Sequence, residues 1–218
     1  MGGLPFWEYV SQFRSELIAD TQAHFLISIY VIVTAAALGL LIAVLSYRSS
    51  IASSTVVGAS SVFFTLPSIA LFGLMVPITG LGLATAFPVL VLYALLPIIR
   101  NAIVGLQSVD ANMVDAARGI GMSRLRILWQ VELPIAWPII MTGIRVAAQL
   151  TVGLVVIGAF VLAPGLGSPI INALSGLGSA NTQNKAISGT VLVLLLALII
   201  DVVFVFIRRI TTPRGLRV

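Results

Sequence analysis

Asp115-Ala116-Ala117-Arg118-Gly119-Ile120-Gly121, followed after nine residues by Val131-Glu132-Leu133-Pro134, decides how the rest of the chain must be arranged. Apolar, membrane-length segments flank it on both sides, yet this stretch carries Asp115, Arg118, Arg124, Arg126 and Glu132. A segment with that many ionised groups cannot sit in lipid, where each charge is costly. It is long enough for a short helix, a glycine-marked turn and a second helix, and Pro134 is placed to start the next span. A polar, structured insert between hydrophobic spans reads as a docking surface for a soluble partner.

Working outward, composition sets the class. Of 218 residues, 59% are hydrophobic and only 9% charged, and the mean hydropathy is +1.14. Soluble domains carry roughly 25% charged residues, so the chain is an integral membrane protein. Its formal net charge of +5 does not point to nucleic acid. The basic residues form no continuous patch but fall at the ends of apolar segments, the pattern that orients spans. Cysteine is absent, and one His with few carboxylates leaves little material for a metal or catalytic site. The first apolar stretch, near Phe25, is too long and too far in for a signal peptide. Met1-Gly2 lacks the Ser or Thr that myristoylation requires, because Phe6 stands in its place.

In chain order, residues 1–24 (Phe6, Trp7, Glu8, Tyr9, Phe13, Arg14, Glu16, Asp20) predict an interfacial, extracytoplasmic amphipathic segment. A membrane domain follows over 25–212. Phe25 to Tyr47 is uncharged and spans about 34 Å as a helix, enough for one crossing. Ser49 to Ile99 has no charge at all; it predicts two spans, about 53–76 and 84–100, parted at Pro77-Ile78-Thr79-Gly80-Leu81-Gly82. Pro67, Pro88 and Pro97 fall inside these helices, and Thr65-Leu66-Pro67-Ser68 is the sharpest kink point. The fourth span covers about 135–162 and is interrupted by Arg145. A loop from Ala163 through Lys185 follows, whose Ile170, Ile171, Leu174 and Leu177 allow a short re-entrant or surface helix. The fifth span covers about 186–207 and ends in Arg208-Arg209, before a tail of 213–218. The fold class is therefore all-α integral membrane with about five transmembrane helices.

Five spans put the termini on opposite sides. With the N-terminus outside, the cytoplasmic face collects Arg48, Arg100, Arg118, Arg124, Arg126, Arg208, Arg209, Arg214 and Arg217, and the outer face keeps Arg14 and Lys185. That asymmetry orients the chain, with its C-terminus and the polar insert in the cytoplasm.

The acid-Ala-Ala of residues 115–117, Gly121 four residues on, and the apolar-x-Leu-Pro of residues 131–134 resemble the EAA loop of binding-protein-dependent ABC importer permeases. Asp115 stands where the family has Glu, and Val131 where it has Ile. The resemblance implies the small type I ABC importer permease fold in the cytoplasmic (inner) membrane of a prokaryote. It also implies a coupling helix that sits in a groove of a cytoplasmic ATPase dimer. Small Ala116, Ala117, Gly119 and Gly121 allow close approach, and Met122 and Leu125 offer apolar anchors for a helix-in-groove contact. With Asp115, Glu132, Leu133 and Pro134 these make the predicted ATPase-coupling loop. Longer runs, among them Leu66-Pro67-Ser68-Ile69-Ala70-Leu71, Val76-Pro77-Ile78-Thr79-Gly80-Leu81-Gly82 and Met141-Thr142-Gly143-Ile144-Arg145, are similar to permeases for glycine betaine, carnitine and choline. Permeases of methionine importers share the general plan, so another small solute stays open.

The resemblance further implies an extracytoplasmic substrate-binding protein and a second permease copy or paralogue. The chain has no Gly-x-x-x-x-Gly-Lys-[Ser/Thr] loop, so it is a transport subunit rather than an enzyme, with ATP and Mg on the partner ATPase and no cofactor or metal of its own. Arg145 and Asp201 interrupt spans and read either as a structural pair or as a gate. Arg145, in the first turns of its helix, can also snorkel to the inner interface, and Asp201 can answer Arg208. Thr65, Pro67, Ser68, Arg145, Gln149 and Asp201 are the candidate pathway or gate residues, with Ser60, Ser61, Thr142 and Thr151 as further lining. His24 reads as interfacial, and Trp129 and Trp137 as anchors at the inner interface. An ATP-independent channel or secondary transporter would need a broken-helix ion site near the bilayer centre, for which Asp201 alone is thin support. A membrane enzyme would need paired catalytic groups at that depth.

Overall fold

The structure is a computed structural model and describes residues 3–212; Met1-Gly2, Arg214, Arg217 and the 213–218 tail lie outside the described residues. The described chain is all helical. Helix α1 (Phe6–Gln12) follows Pro5 and ends at Phe13, where α2 (Arg14–Ser46) begins. The expected interfacial segment 1–24 is thus not one element, since residues 14–24 are the first turns of the long α2. No Pro lies between residues 6 and 46, so nothing breaks the helix where hydropathy drops; lipid and helix boundaries are set by different physics.

Ser49 caps α3 (Ser50–Thr65), its hydroxyl accepting from the Ala52 N–H at 3.3 Å. Leu66 precedes Pro67 and is held extended, at φ −67° and ψ 139°, as a residue before proline must be. Helix α4 (Ser68–Thr79) then leaves at 93° to α3. The expected single span 53–76 is therefore a bent pair. Pro77, Ile78 and Thr79 remain helical, and the turn is Gly80-Leu81-Gly82, with both glycines at positive φ.

Helix α5 (Leu83–Gln107) reaches the insert, which opens with α6 (Ala111–Gly119). Helix α7 (Arg124–Ile127) continues through a single π turn (Leu128–Glu132) into α8 (Leu133–Gly158). The helix that carries the expected fourth span starts before it, one helical rod running from Arg124 to Val161. Pro134 has no N–H to continue the i−4 ladder, and the turn just before it widens, the Leu133 N–H reaching the Leu128 carbonyl. Helix α9 (Gly167–Ser175) lies in the following loop, and α10 (Thr182–Thr211) closes the described chain. Among the described residues, four helical rods are each long and apolar enough to cross a membrane, and the bent α3–α4 pair reaches that length and apolarity only when its two helices are taken together.

Helix α5 is the buried centre, packed between α2 and α8. Ala86, Val89, Ala94, Ile98 and Ala102 of α5 are fully buried, as are Val31 and Ala35 of α2 and Ala136, Ile140 and Ala147 of α8. The α5–α8 contact needs small residues. A Cβ on Gly143 would stand 2.6 Å from Asn101 Cβ and 2.7 Å from the Pro97 carbonyl oxygen, and one on Gly105 would stand 3.1 Å from the Ala136 carbonyl oxygen. In a bilayer, where lipid tails are as apolar as Leu, such close backbone packing replaces water exclusion as the force joining helices. Helix α10 packs on α8 and α9 and turns Leu194, Leu198 and Val202 outward, as a lipid-facing helix can.

Gly143→Leu should force α5 and α8 apart and cost at least about 3 kcal/mol, read as a lower unfolding temperature in detergent. Gly153→Leu, whose Cβ meets nothing within 4 Å, should leave that temperature close to wild type. Equal effects at the two glycines would contradict this account of the core.

Candidate functional site

The insert begins with Asp110, whose carboxylate accepts from the Asn112 N–H at 2.8 Å and caps α6. Its end is closed by two backbone bonds, from the Met122 N–H to the Ala117 carbonyl at 3.1 Å and from the Gly121 N–H to the Arg118 carbonyl at 2.9 Å. Gly121 sits at φ +84°. This is the Schellman arrangement, which requires a left-handed residue and pairs the residue after it with the last inward side chain of the helix. Met122 is accordingly half-buried over the buried Ala117, and Ser123 caps α7.

The predicted coupling residues divide into two faces. Asp115, Ala116, Gly121 and Leu125 face outward. Ala117, Glu132 and Leu133 are buried, while Met122 and Pro134 are half-buried. Asp115 and Arg118 form an exposed pair at 3.1 Å, worth little in water. Sequence reasoning missed Ile120, 80% exposed at the tip of the turn, together with the exposed Met113. The available signal was an isolated apolar residue between two glycines in a charged segment. Trp129 is exposed too, whereas Trp137 donates through Nε1 to Thr211 Oγ1 at 2.8 Å.

Glu132 is not part of the outward surface. Its Oε2 accepts from the Tyr47 hydroxyl at 2.6 Å and pairs with Arg48 Nη2 at 3.0 Å. Arg48 Nε donates to the same Tyr47 hydroxyl at 2.5 Å, and Gln107 Nε2 donates to the Tyr47 carbonyl at 2.8 Å. Burial works against the charge on Arg48, but its bonds to Glu132 and Tyr47 outweigh it and raise its pKa above the ordinary value. Removing Arg48 would leave the buried carboxylate with the Tyr47 hydroxyl alone, at a cost of about 2 kcal/mol.

A second cluster lies along α8 and α10. Arg145 Nε and Nη2 donate to the two carboxylate oxygens of Asp201 at 2.6 and 2.7 Å, and Gln149 Nε2 donates to Oδ1 at 2.6 Å. Asp201 therefore answers Arg145. Arg145 lies about 32 Å along the rod that starts at Arg124, and its guanidinium is taken up by Asp201. Gln149 is exposed and the paired groups are half-buried. Thr142 lies on the same face, one turn before Arg145.

Thr65, Pro67 and Ser68 form the α3–α4 break, where the Tyr93 hydroxyl takes up the Leu66 carbonyl. The hydroxyls of Ser60 and Ser61 turn back onto the Val56 and Val57 carbonyls. Thr151 is buried and bonded to Ala147, so it lines no surface of this chain. His24 is fully buried within the bundle; its Nε2 lies 3.0 Å from the Val152 carbonyl oxygen, and Gly165 packs against its ring. Helix continuity from Arg14 carries His24 inside the bundle. Among the described residues, no group of three or more His, Asp or Glu side chains is placed to hold a metal ion.

Residues 35–212 match the family described as binding-protein-dependent transport system inner membrane component. The chain belongs to that family. It is 37% identical to the osmoprotectant import permease protein OsmW of Salmonella typhimurium, over 83% of this chain and 84% of that one. It is 33% identical to the glycine betaine/carnitine/choline transport system permease protein OpuCD of Bacillus subtilis, over 94% and 88%. In fold it is similar to an inward-facing structure of the MetNI methionine ABC transporter, with TM-score 0.80 and 24% identity over 93% of this chain and 99% of that one. The family is one of transport components of the inner membrane.

Arg145→Gln and Asp201→Asn should each lower the unfolding temperature in detergent, and the double substitution should lose less than the sum. Reversing both charges should recover part of what either reversal loses. Strictly additive losses would reject the pairing.

Proposed function

We propose that the chain is the membrane-spanning subunit of an ATP-driven importer for osmoprotectants such as glycine betaine, carnitine or choline. The observation that carries this reading is the insert: a solvated, alanine- and glycine-rich helix–turn–helix with Ile120, Leu125 and Met113 outward, standing at one end of an apolar bundle. A short helix with exposed apolar anchors fits a groove on a soluble partner. The names of the relatives support the solute class, and the likeness to the methionine transporter, at 24% identity, speaks to fold alone.

In this reading an ATPase dimer holds ATP and Mg and pushes on the insert, and an extracytoplasmic binding protein selects and delivers the solute. A second permease, identical or paralogous, completes the pathway. The insert end lies in the cytoplasm, because Arg48, Arg118, Arg124, Arg126, Arg208 and Arg209 gather there while Arg14 and Lys185 lie at the other end. The N-terminus is then outside. The pathway follows the face of α8 that carries Thr142, Arg145 and Gln149, with Asp201 across from it and the break at Thr65, Pro67 and Ser68 as a second candidate. Charged groups left half-open at that depth call for water or protein beside them rather than lipid. ATP and solute each favour a different state of the bundle, giving alternating access.

With the ATPase partner and binding protein in proteoliposomes, labelled glycine betaine should accumulate only when ATP and the binding protein are both present. Gly121→Trp, which forces a bulky residue into a left-handed position, should abolish uptake while leaving the bundle folded. Normal uptake by that variant, or uptake without the binding protein, would refute the division of labour.

A further inference from the structure

We infer that Tyr47, Arg48, Glu132 and Gln107 form a tie that makes α2 move with the insert, so that Glu132 is a positioning residue for transport. The inference rests on the reading that an ATPase pushes on the insert. Force applied at Leu125 reaches α8 through an unbroken helical rod, and it reaches α5 through the three residues that join it to α6. Helix α2 has no such covalent path. Its apolar packing on α5 and α8 can slide, and the directional links to the rod at this end are the bond from the Tyr47 hydroxyl to Glu132 at 2.6 Å and the Arg48–Glu132 pair at 3.0 Å. Gln107, the last residue of α5, holds the same Tyr47 through its carbonyl. The ends of α2 and the rod therefore meet on one carboxylate, and the end of α5 holds the Tyr47 backbone beside it.

Two features separate this from ordinary packing. Glu132 closes the π turn, and the extra residue in such a turn rotates the following side chains relative to a regular helix. Leu125 and Trp129 thus face outward while Leu128 and Glu132 face in. Furthermore, with Arg48 itself open to solvent, the Arg48–Glu132 pair adds little to stability. Its two partners are instead directional, and fix where α2 stands against the rod.

The test uses the complete complex in proteoliposomes. The chain contains no cysteine, so Leu26→Cys, exposed on the far half of α2, gives a unique site on this subunit for a fluorophore. ATP should shift its emission, and in the Glu132→Gln background that shift should fall about fivefold or more while ATP hydrolysis continues. Should that variant fail to assemble, Tyr47→Phe, which keeps both charges, should weaken the shift in the same way. In Arg48→Cys/Glu132→Cys, a short bismaleimide joining the two thiols should restore ATP-driven uptake that the unlinked double variant has lost. A full shift without the tie, or no recovery on linking, overturns the inference. Failure of the unmodified complex to take up glycine betaine while its α2 probe still answers ATP touches the solute assignment alone. A probe silent to ATP in the unmodified complex overturns both.

Discussion

Close backbone contact between α5 and α8 is the constraint on which the other features depend. Gly143 against Pro97 and Asn101, and Gly105 against Ala136, bring two apolar rods to a separation that no larger side chain permits. In lipid no water is expelled when helices meet, so the contact must come from dispersion between well-fitted surfaces and from satisfied backbone groups. Helix α2 then completes the core on the other side of α5, with Gly39 placed close to Ile98. Because α5 and α8 are held rigidly against each other, a short insert at their ends can act on those two as a unit.

The polar groups are distributed according to what each site can tolerate. At the insert, solvent lets Asp115 and Arg118 sit open, and the surface between them is left to small and apolar side chains. At the base of the insert, Glu132 is sheltered and therefore needs both Tyr47 and Arg48. On the half-open face where α8 meets α10, Arg145 and Asp201 meet in a two-bond fork with Gln149 as a third donor. A fork of this kind holds two charges in one geometry and leaves a nearly neutral unit, which is how ionised side chains persist at membrane depth.

The α3–α4 break serves the same economy in another way. Proline forces Leu66 out of the helix, and the freed Leu66 carbonyl is met by the Tyr93 hydroxyl from the central helix. Non-helical backbone is tolerated at such depth only where the rest of the protein supplies the missing partner.

Hydropathy, the run of arginines at one end and the Asp115–Pro134 spacing were enough to read an all-helical membrane permease with a polar insert between its spans, because those properties depend on residue type and order alone. The position of Pro67 already marked where the chain would turn sharply. Which way each side chain faces was not legible. Met122 turns inward because the Gly121 turn closes over Ala117, and Glu132 turns inward because a π turn before Pro134 resets the helical register. Arg145 finds Asp201 56 residues away only once α8 and α10 are packed. Local order sets which segments are helical and apolar; contacts between distant helices decide which polar groups are paired, which are presented, and therefore which residues do the work.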